Sequence, residues 1–233
     1  MPSIIKVIAS GRVLTPGTSP DQAQMTVEEL QAAVDEAQKA GRKVAAHAHG
    51  SSGMKNAVRA GVHSIEHATL MDEEAAAMMK QQGVFMVPTL SALATTAACR
   101  LGCGIPESAL EKAKSMTKRH QASFKNALRD GIQIAMGTDA GTPFNFHGEN
   151  AQELERMVAL GMIPIQAILA STSAAGQLIG TQDQAGTIEK GKLADLLLFK
   201  GNPLRRIDLL RERSRIVGVM QAGKFVAGPL SKM

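Results

Sequence analysis

Four residues able to bind a metal ion each close an apolar run in this chain, and a helix-like stretch follows almost every one. Lys6 ends Ser-Ile-Ile-Lys, His47 ends Val-Ala-Ala-His, His67 ends Ser-Ile-Glu-His, and Asp139 ends Ile-Ala-Met-Gly-Thr-Asp. Short apolar strands alternating with helices predict a parallel sheet with right-handed crossovers. Side chains at the C-terminal ends of such strands converge on one site, as in a β/α barrel. Two imidazoles, a carboxylate and a buried lysine at those positions point to a divalent cation, Zn²⁺ above others, and a water that it activates.

Residues 3–9 read as a buried strand, followed by a Gly/Pro/Ser/Thr-rich loop over 11–25. Thr26 then caps a helix, with Glu29 in the capping-box position and Leu30, Val34 and Ala37 at helical spacing. Further strands are expected at 43–48, 62–66, 84–87 and 132–136, and helices at about 53–60, from Asp72 to Gly83, and at about 107–130, 149–160 and 164–178. The tail changes character: a turn-rich hairpin over 186–191, an apolar strand at 194–199, and a second hairpin from 216–220 and 224–226 around Gln-Ala-Gly. The reading is an α/β fold: a partial, truncated TIM-like β/α barrel of about five βα units in residues 1–180. A small C-terminal β element, the remnant of a β-sandwich, follows in 181–233. A closed eight-stranded barrel takes about 250 residues by itself.

Composition narrows the partners. The net charge of +5 is spread over the chain except for Arg205, Arg206, Arg211, Arg213 and Arg215, read as a solvated helix face. With aromatics at 3% and none beside that cluster, nucleic-acid binding is not expected. No apolar run approaches the length of a membrane span, and no signal peptide is visible, so a cytoplasmic protein is expected. Cys99 and Cys103 are expected to be reduced there.

Each site residue carries two readings. His47 and His49 lie in His-Ala-His and face the same way on a strand. Both can reach a metal, or His47 ligates while His49 lines the pocket; the second is preferred. His67 gains weight by recurring 20 residues on, in the next unit. Asp139 reads either as a turn residue or as a ligand that also accepts a proton from the attacking water. Lys6, if buried, is costly as an ammonium. As a neutral amine it can take up CO₂ to form a carbamate with two oxygens for a metal. By itself it reads better as an outward-pointing side chain.

Together these segments resemble the metal-dependent amidohydrolase superfamily, in particular its imidazolonepropionase-like and Xaa-Pro dipeptidase-like branch. The matching pieces run in order: Ile-Lys-Val with Gly-Arg-Val-Leu-Thr-Pro-Gly, Ala-His-Ala-His-Gly, Ser-Ile-Glu-His, Val-Pro-Thr-Leu, Met-Gly-Thr-Asp-Ala-Gly, and Gly-Thr-Ile-Glu-Lys-Gly-Lys-Leu-Ala-Asp-Leu. The resemblance implies that Lys6 is the carboxylated lysine of the fourth strand. It makes His47 and His67 the histidines of strands five and six, and Asp139 the ligand and proton shuttle of strand eight. His49 falls where relatives carry a pocket aromatic, and His147 and Glu149 become candidates for the substrate rim. The first-strand His-x-His pair has no counterpart before Lys6, and strands one to three are missing. One firm metal site is therefore expected, with a second requiring His49, His147 or a neighbouring chain.

The expected activity is hydrolysis of a small-molecule amide, an N-acyl amino acid or dipeptide, or an ester-like substrate. A phosphotriester or lactone hydrolase on the same site is the alternative. An inactive metal-binding fragment, or half of a split enzyme, is the reading of another class. Exposed strand edges at both ends of a part-barrel predict a homo-oligomer.

Overall fold

The computed structural model describes residues 4–15, 17–100 and 102–232. Ser3, at the head of the first expected strand, lies outside them. Four parallel strands form the main sheet in sequence order: β1 (Ile4–Ile8), β2 (Lys43–Gly50), β3 (Ser64–Leu70) and β4 (Phe85–Val87). The crossovers are α1 (Val27–Lys39), α2 (Ser51–Arg59) and α3 (Glu73–Gln82).

Local chemistry sets these bounds. Thr26 and Glu29 exchange the two bonds of a capping box, and α1 buries Leu30, Val34 and Ala37. Asp72 accepts from the Ala75 N–H to start α3, and Gly83 in the left-handed region ends it. Val7, Val44, Ala46 and Ile65 on one face of the sheet pack with Leu30, Val34, Met54 and Val58 of the helices. Leu30, Met54 and Ile65 are fully buried; truncating any one to Ala costs about 2–5 kcal/mol.

The expected count of five βα units is corrected here. The sheet has four strands among the described residues and does not close. Residues 132–136, expected as a fifth strand, make one bridge, Met86 to Ile134. Gln133 and Ala135 both bond Met86, but the Met136 N–H turns away to the Ala170 carbonyl at 2.9 Å. β3 runs on to Leu70, so His67 lies inside the strand rather than after it. A helix absent from the expectations, α4 (Leu90–Ala98), precedes the long α5 (Glu107–Asp130). After α6 (Ala151–Ala159), the expected helix over 164–178 breaks at Thr172 into α7 (Pro164–Ser171) and α8 (Ser173–Ile179). Leu178 of α8 packs with Phe85, Val87 and Ala135 on the face of the sheet opposite the crossovers.

In the tail, residues 186–191 form turns rather than a hairpin. β5 (Leu196–Phe199), β6 (Ile216–Gln221) and β7 (Lys224–Ala227) make an antiparallel sheet. Ala222 and Gly223 turn the hairpin with φ of 47° and 80°, the primed type that matches strand twist. The arginine cluster is not a helix face. It sits on 3₁₀ turns at Ile207–Arg211 and Arg213–Arg215, whose Ile207 and Leu209 are buried. Arg211 pairs with Glu155 of α6 at 2.7 Å, and Arg215 with Glu212 at 2.6 Å. Cys99 and Cys103, expected to be reduced, are joined, with Cα atoms 6.4 Å apart. No helix among the described residues is long and apolar enough to cross a membrane.

Candidate metal centre

The face of the sheet opposite the crossovers carries the polar residues. Pairing sets Ile8 beside His47 and His47 beside Glu66. Alternation along each strand then puts Lys6, His47, His49 and Glu66 on one face. His67 pairs with Ala48 and would point the opposite way if the pleat continued. Instead His67 and Ala68 take the left-handed region, with φ of 73° and 48°, and His67 lines the same cleft as Glu66. Such strain persists where the surroundings enforce it, often at functional sites. Here α5 enforces it: His120 Nε2 donates to the His67 carbonyl at 3.0 Å, and the Ser123 hydroxyl donates to that of Ala68.

The result is a triangle of imidazoles. Ring centroids lie 4.7 Å apart for His47–His49, 4.6 Å for His47–His67 and 4.7 Å for His49–His67. One ring nitrogen from each lies within 4.8 Å of the other two. His49 Nδ1 meets the Thr69 hydroxyl at 2.8 Å, and His67 Nδ1 meets the Thr89 hydroxyl at 2.6 Å. Nε2 of both rings is thereby left to a ligand. His47 Nε2 lies 3.4 Å from the Gly11 carbonyl.

Burial keeps these rings neutral. It pushes the His47 pKa down to about 4, with the Lys6 and Arg12 charges adding to it and the Gly11 carbonyl opposing. Burial, then the neighbouring histidines, drives His49 and His67 well below the usual range. Neutral imidazole is the form that ligates metals, and three nitrogen donors within 4.8 Å of one another suit Zn²⁺. The donor set therefore fits the cation.

Lys6 and Asp139 line the same cleft, which encloses about 380 Å³. Asp139 does not join the histidines' 4.8 Å cluster. Lys6 is not a buried lysine: it stands on the edge strand β1 and is solvent-accessible. Desolvation by the surrounding protein still lowers its pKa, while Glu66 and Asp139 raise it. Burial raises the Glu66 carboxyl, which accepts from Ser64 at 2.6 Å. Asp139 has φ of 52°, and Asn145 holds its backbone carbonyl at 3.0 Å. His147 and Glu149 are exposed beyond it and do not line the cleft; Glu149 borders a separate groove with Arg211 and Arg213. The sequence reading did not single out Arg12, Glu66, Thr69, Thr89 or His120. Glu66 was within reach, because strand alternation from His47 through an in-register neighbour selects it. The others depend on which loop or helix lies over the strand ends.

An open parallel sheet with three clustered histidines at its strand ends defines an α/β protein with a candidate metal centre. The Amidohydrolase family model matches residues 2–226, and the chain belongs to that family. It is 35% identical over 228 residues to ochratoxinase from Aspergillus niger, covering 97% of this chain and 46% of that protein. It is similar to the crystal structure of a Xaa-Pro dipeptidase with methionine bound in the active site. That likeness has a TM-score of 0.91 and 40% identity, over 97% of this chain and 55% of that one. Imidazolonepropionase from Shouchella clausii is 31% identical over 107 residues, 45% of this chain and 24% of that protein. The chain spans about half the length of the ochratoxinase and dipeptidase chains it matches.

Proposed function

We propose that this chain carries the catalytic half of a metal-dependent amide hydrolase acting on N-acyl amino acids or dipeptides. The observation that carries the reading is the triangle of neutral imidazoles, His47, His49 and His67, opening on the cleft that Asp139 lines. The similarity to a Xaa-Pro dipeptidase and to ochratoxinase supports the hydrolase class.

His47 and His67 would hold the cation, with His49 close enough to join them. This revises the preference for His49 as a pocket residue alone. A divalent cation bound there would supply the acidity that activates a water and the charge that polarises the scissile carbonyl. Asp139 accepts the proton from the attacking water and returns it to the leaving amine. Glu66 and Lys6 form the wall beside it. Carboxylation of Lys6 would add an anionic oxygen donor, and activity rising with added bicarbonate tests that.

The test pairs metal content per chain with hydrolysis of an N-acyl amino acid panel before and after chelation. One zinc per chain, with activity lost on chelation and regained on adding metal, is expected. Asp139→Asn should retain the metal and lose at least about 100-fold in kcat. A folded protein with no metal and no turnover would leave the inactive-scaffold reading standing.

A further inference from the structure

We propose that Arg12 binds the free carboxylate of the substrate, so that the cleft selects anionic amides, N-acyl amino acids or dipeptides, over their neutral carboxamides. This rests on the amide-hydrolase reading above and adds the residue that sets its substrate class.

Arg12 lines the cleft together with Lys6, the three histidines and Asp139. Arg12 is an exposed residue, and no carboxylate among the described residues forms an ion pair with it, although Glu66 and Asp139 share the cleft.

The loop that carries Arg12 is tied on every side. The Thr18 hydroxyl accepts from the Arg12 N–H at 3.3 Å and donates to the Arg12 carbonyl at 3.1 Å, closing a ring. The Ser10 hydroxyl accepts from the His49 N–H at 2.8 Å, and Lys112 of α5 donates to the Thr18 carbonyl at 2.9 Å. Three glycines let backbones meet. A side chain on Gly11 would strike the Ser19 carbonyl, while a Cβ on Gly50 or Gly53 would sit 2.6 Å from the carbonyl of Asp21 or Ala9. These contacts fix the backbone from which the Arg12 side chain reaches the cleft; the side chain itself is ordered on binding. The planar guanidinium offers two parallel N–H donors to a carboxylate, which an ammonium cannot match. Val13, Leu14, Ala92 and Leu93 flank it as apolar wall, suited to a hydrophobic side chain next to that carboxylate.

The experiment compares N-acetyl-L-leucine with N-acetyl-L-leucinamide on the metal-loaded protein, by calorimetric affinity and by acetate release. Wild type should prefer the carboxylate. Arg12→Met should shrink that preference about 10- to 100-fold, the range of a charge-assisted pair, and Arg12→Lys should restore part of it. An unchanged melting temperature in both variants shows that the fold is intact. A preference that is equal in wild type and Arg12→Met, or no binding of either compound, overturns the proposal. Arg12-dependent binding of the carboxylate without acetate release would sustain it and defeat the hydrolase reading instead.

Discussion

Thr89 does for His67 what Thr69 does for His49: each hydroxyl holds one ring nitrogen and leaves the other for a metal. Groups that orient ligand histidines typically contribute about 10- to 100-fold in metal affinity. Thr89→Val keeps the shape and removes the hydroxyl, so its zinc affinity should fall by about that factor, measured by competition against a chromogenic chelator. Unaltered affinity would mean that packing alone orients His67. His120 makes a second single-residue prediction, one of pH. Burial holds its pKa down to about 4 in the folded protein, against about 6.5 in an unfolded chain. Below pH 6.5 the unfolded chain binds a proton that the folded chain refuses, so stability falls as pH drops from about 6.5 to about 4. The loss from this residue is on the order of 3 kcal/mol at the acid end. Urea unfolding at pH 7 and pH 4.5 should show it, and His120→Gln should flatten the slope; equal slopes in both proteins would refute it. His47, His67 and Asp139 were visible as residues because each closes an apolar run. Their relations were not. A left-handed turn inside β3 decides where His67 points, and nothing in Glu-His-Ala announces it.

At the scale of elements, α4 has no cap of its own: Thr89 at its start is left-handed and makes no capping bond. Glu153 of α6 supplies the cap from 63 residues away, accepting from the Leu90 N–H at 2.6 Å and the Ser91 N–H at 2.8 Å. Fully buried, it ties the helix that lines the cleft to the helix behind it. Glu153→Ala leaves two buried N–H groups unpaired and should cost about 2–4 kcal/mol in urea unfolding, with the cleft wall loosened. A change under about 1 kcal/mol would show that water replaces the cap. This explains why α4 escaped the sequence: its start signal lies elsewhere in the chain. By contrast α1, α3 and α5 carry their own signals, and α5 runs over the expected 107–130, ended by left-handed Gly131. The segment 132–136 looks like a strand in composition, yet one edge of β4 is all it finds to pair with.

At the scale of the whole molecule, β1 is an edge strand, and its outer side has no strand partner among the described residues. Ile4, Ile5 and Ile8 on it are only half-buried. Open apolar edges favour association, so self-association is the expected behaviour: light scattering should give a species well above 24.6 kDa. A clean monomer at that mass would show that the edge is tolerated in water. Alternation of strands and helices made the parallel sheet legible at this scale. The number of strands that pair was not, since it depends on partners that strands find only in three dimensions.

The 3₁₀ turn at Ile207–Arg211 is bolted to the sheet-bearing part of the molecule by Ile207 in the main core and by Arg211 on Glu155. The turns before β5 are loosely held by comparison, and Ile188 among them is 88% exposed. A protease that cuts near Ile188 would therefore release nothing. The two pieces would stay together through a gel-filtration column and separate only in denaturant, and the nicked protein would keep its histidine centre whole.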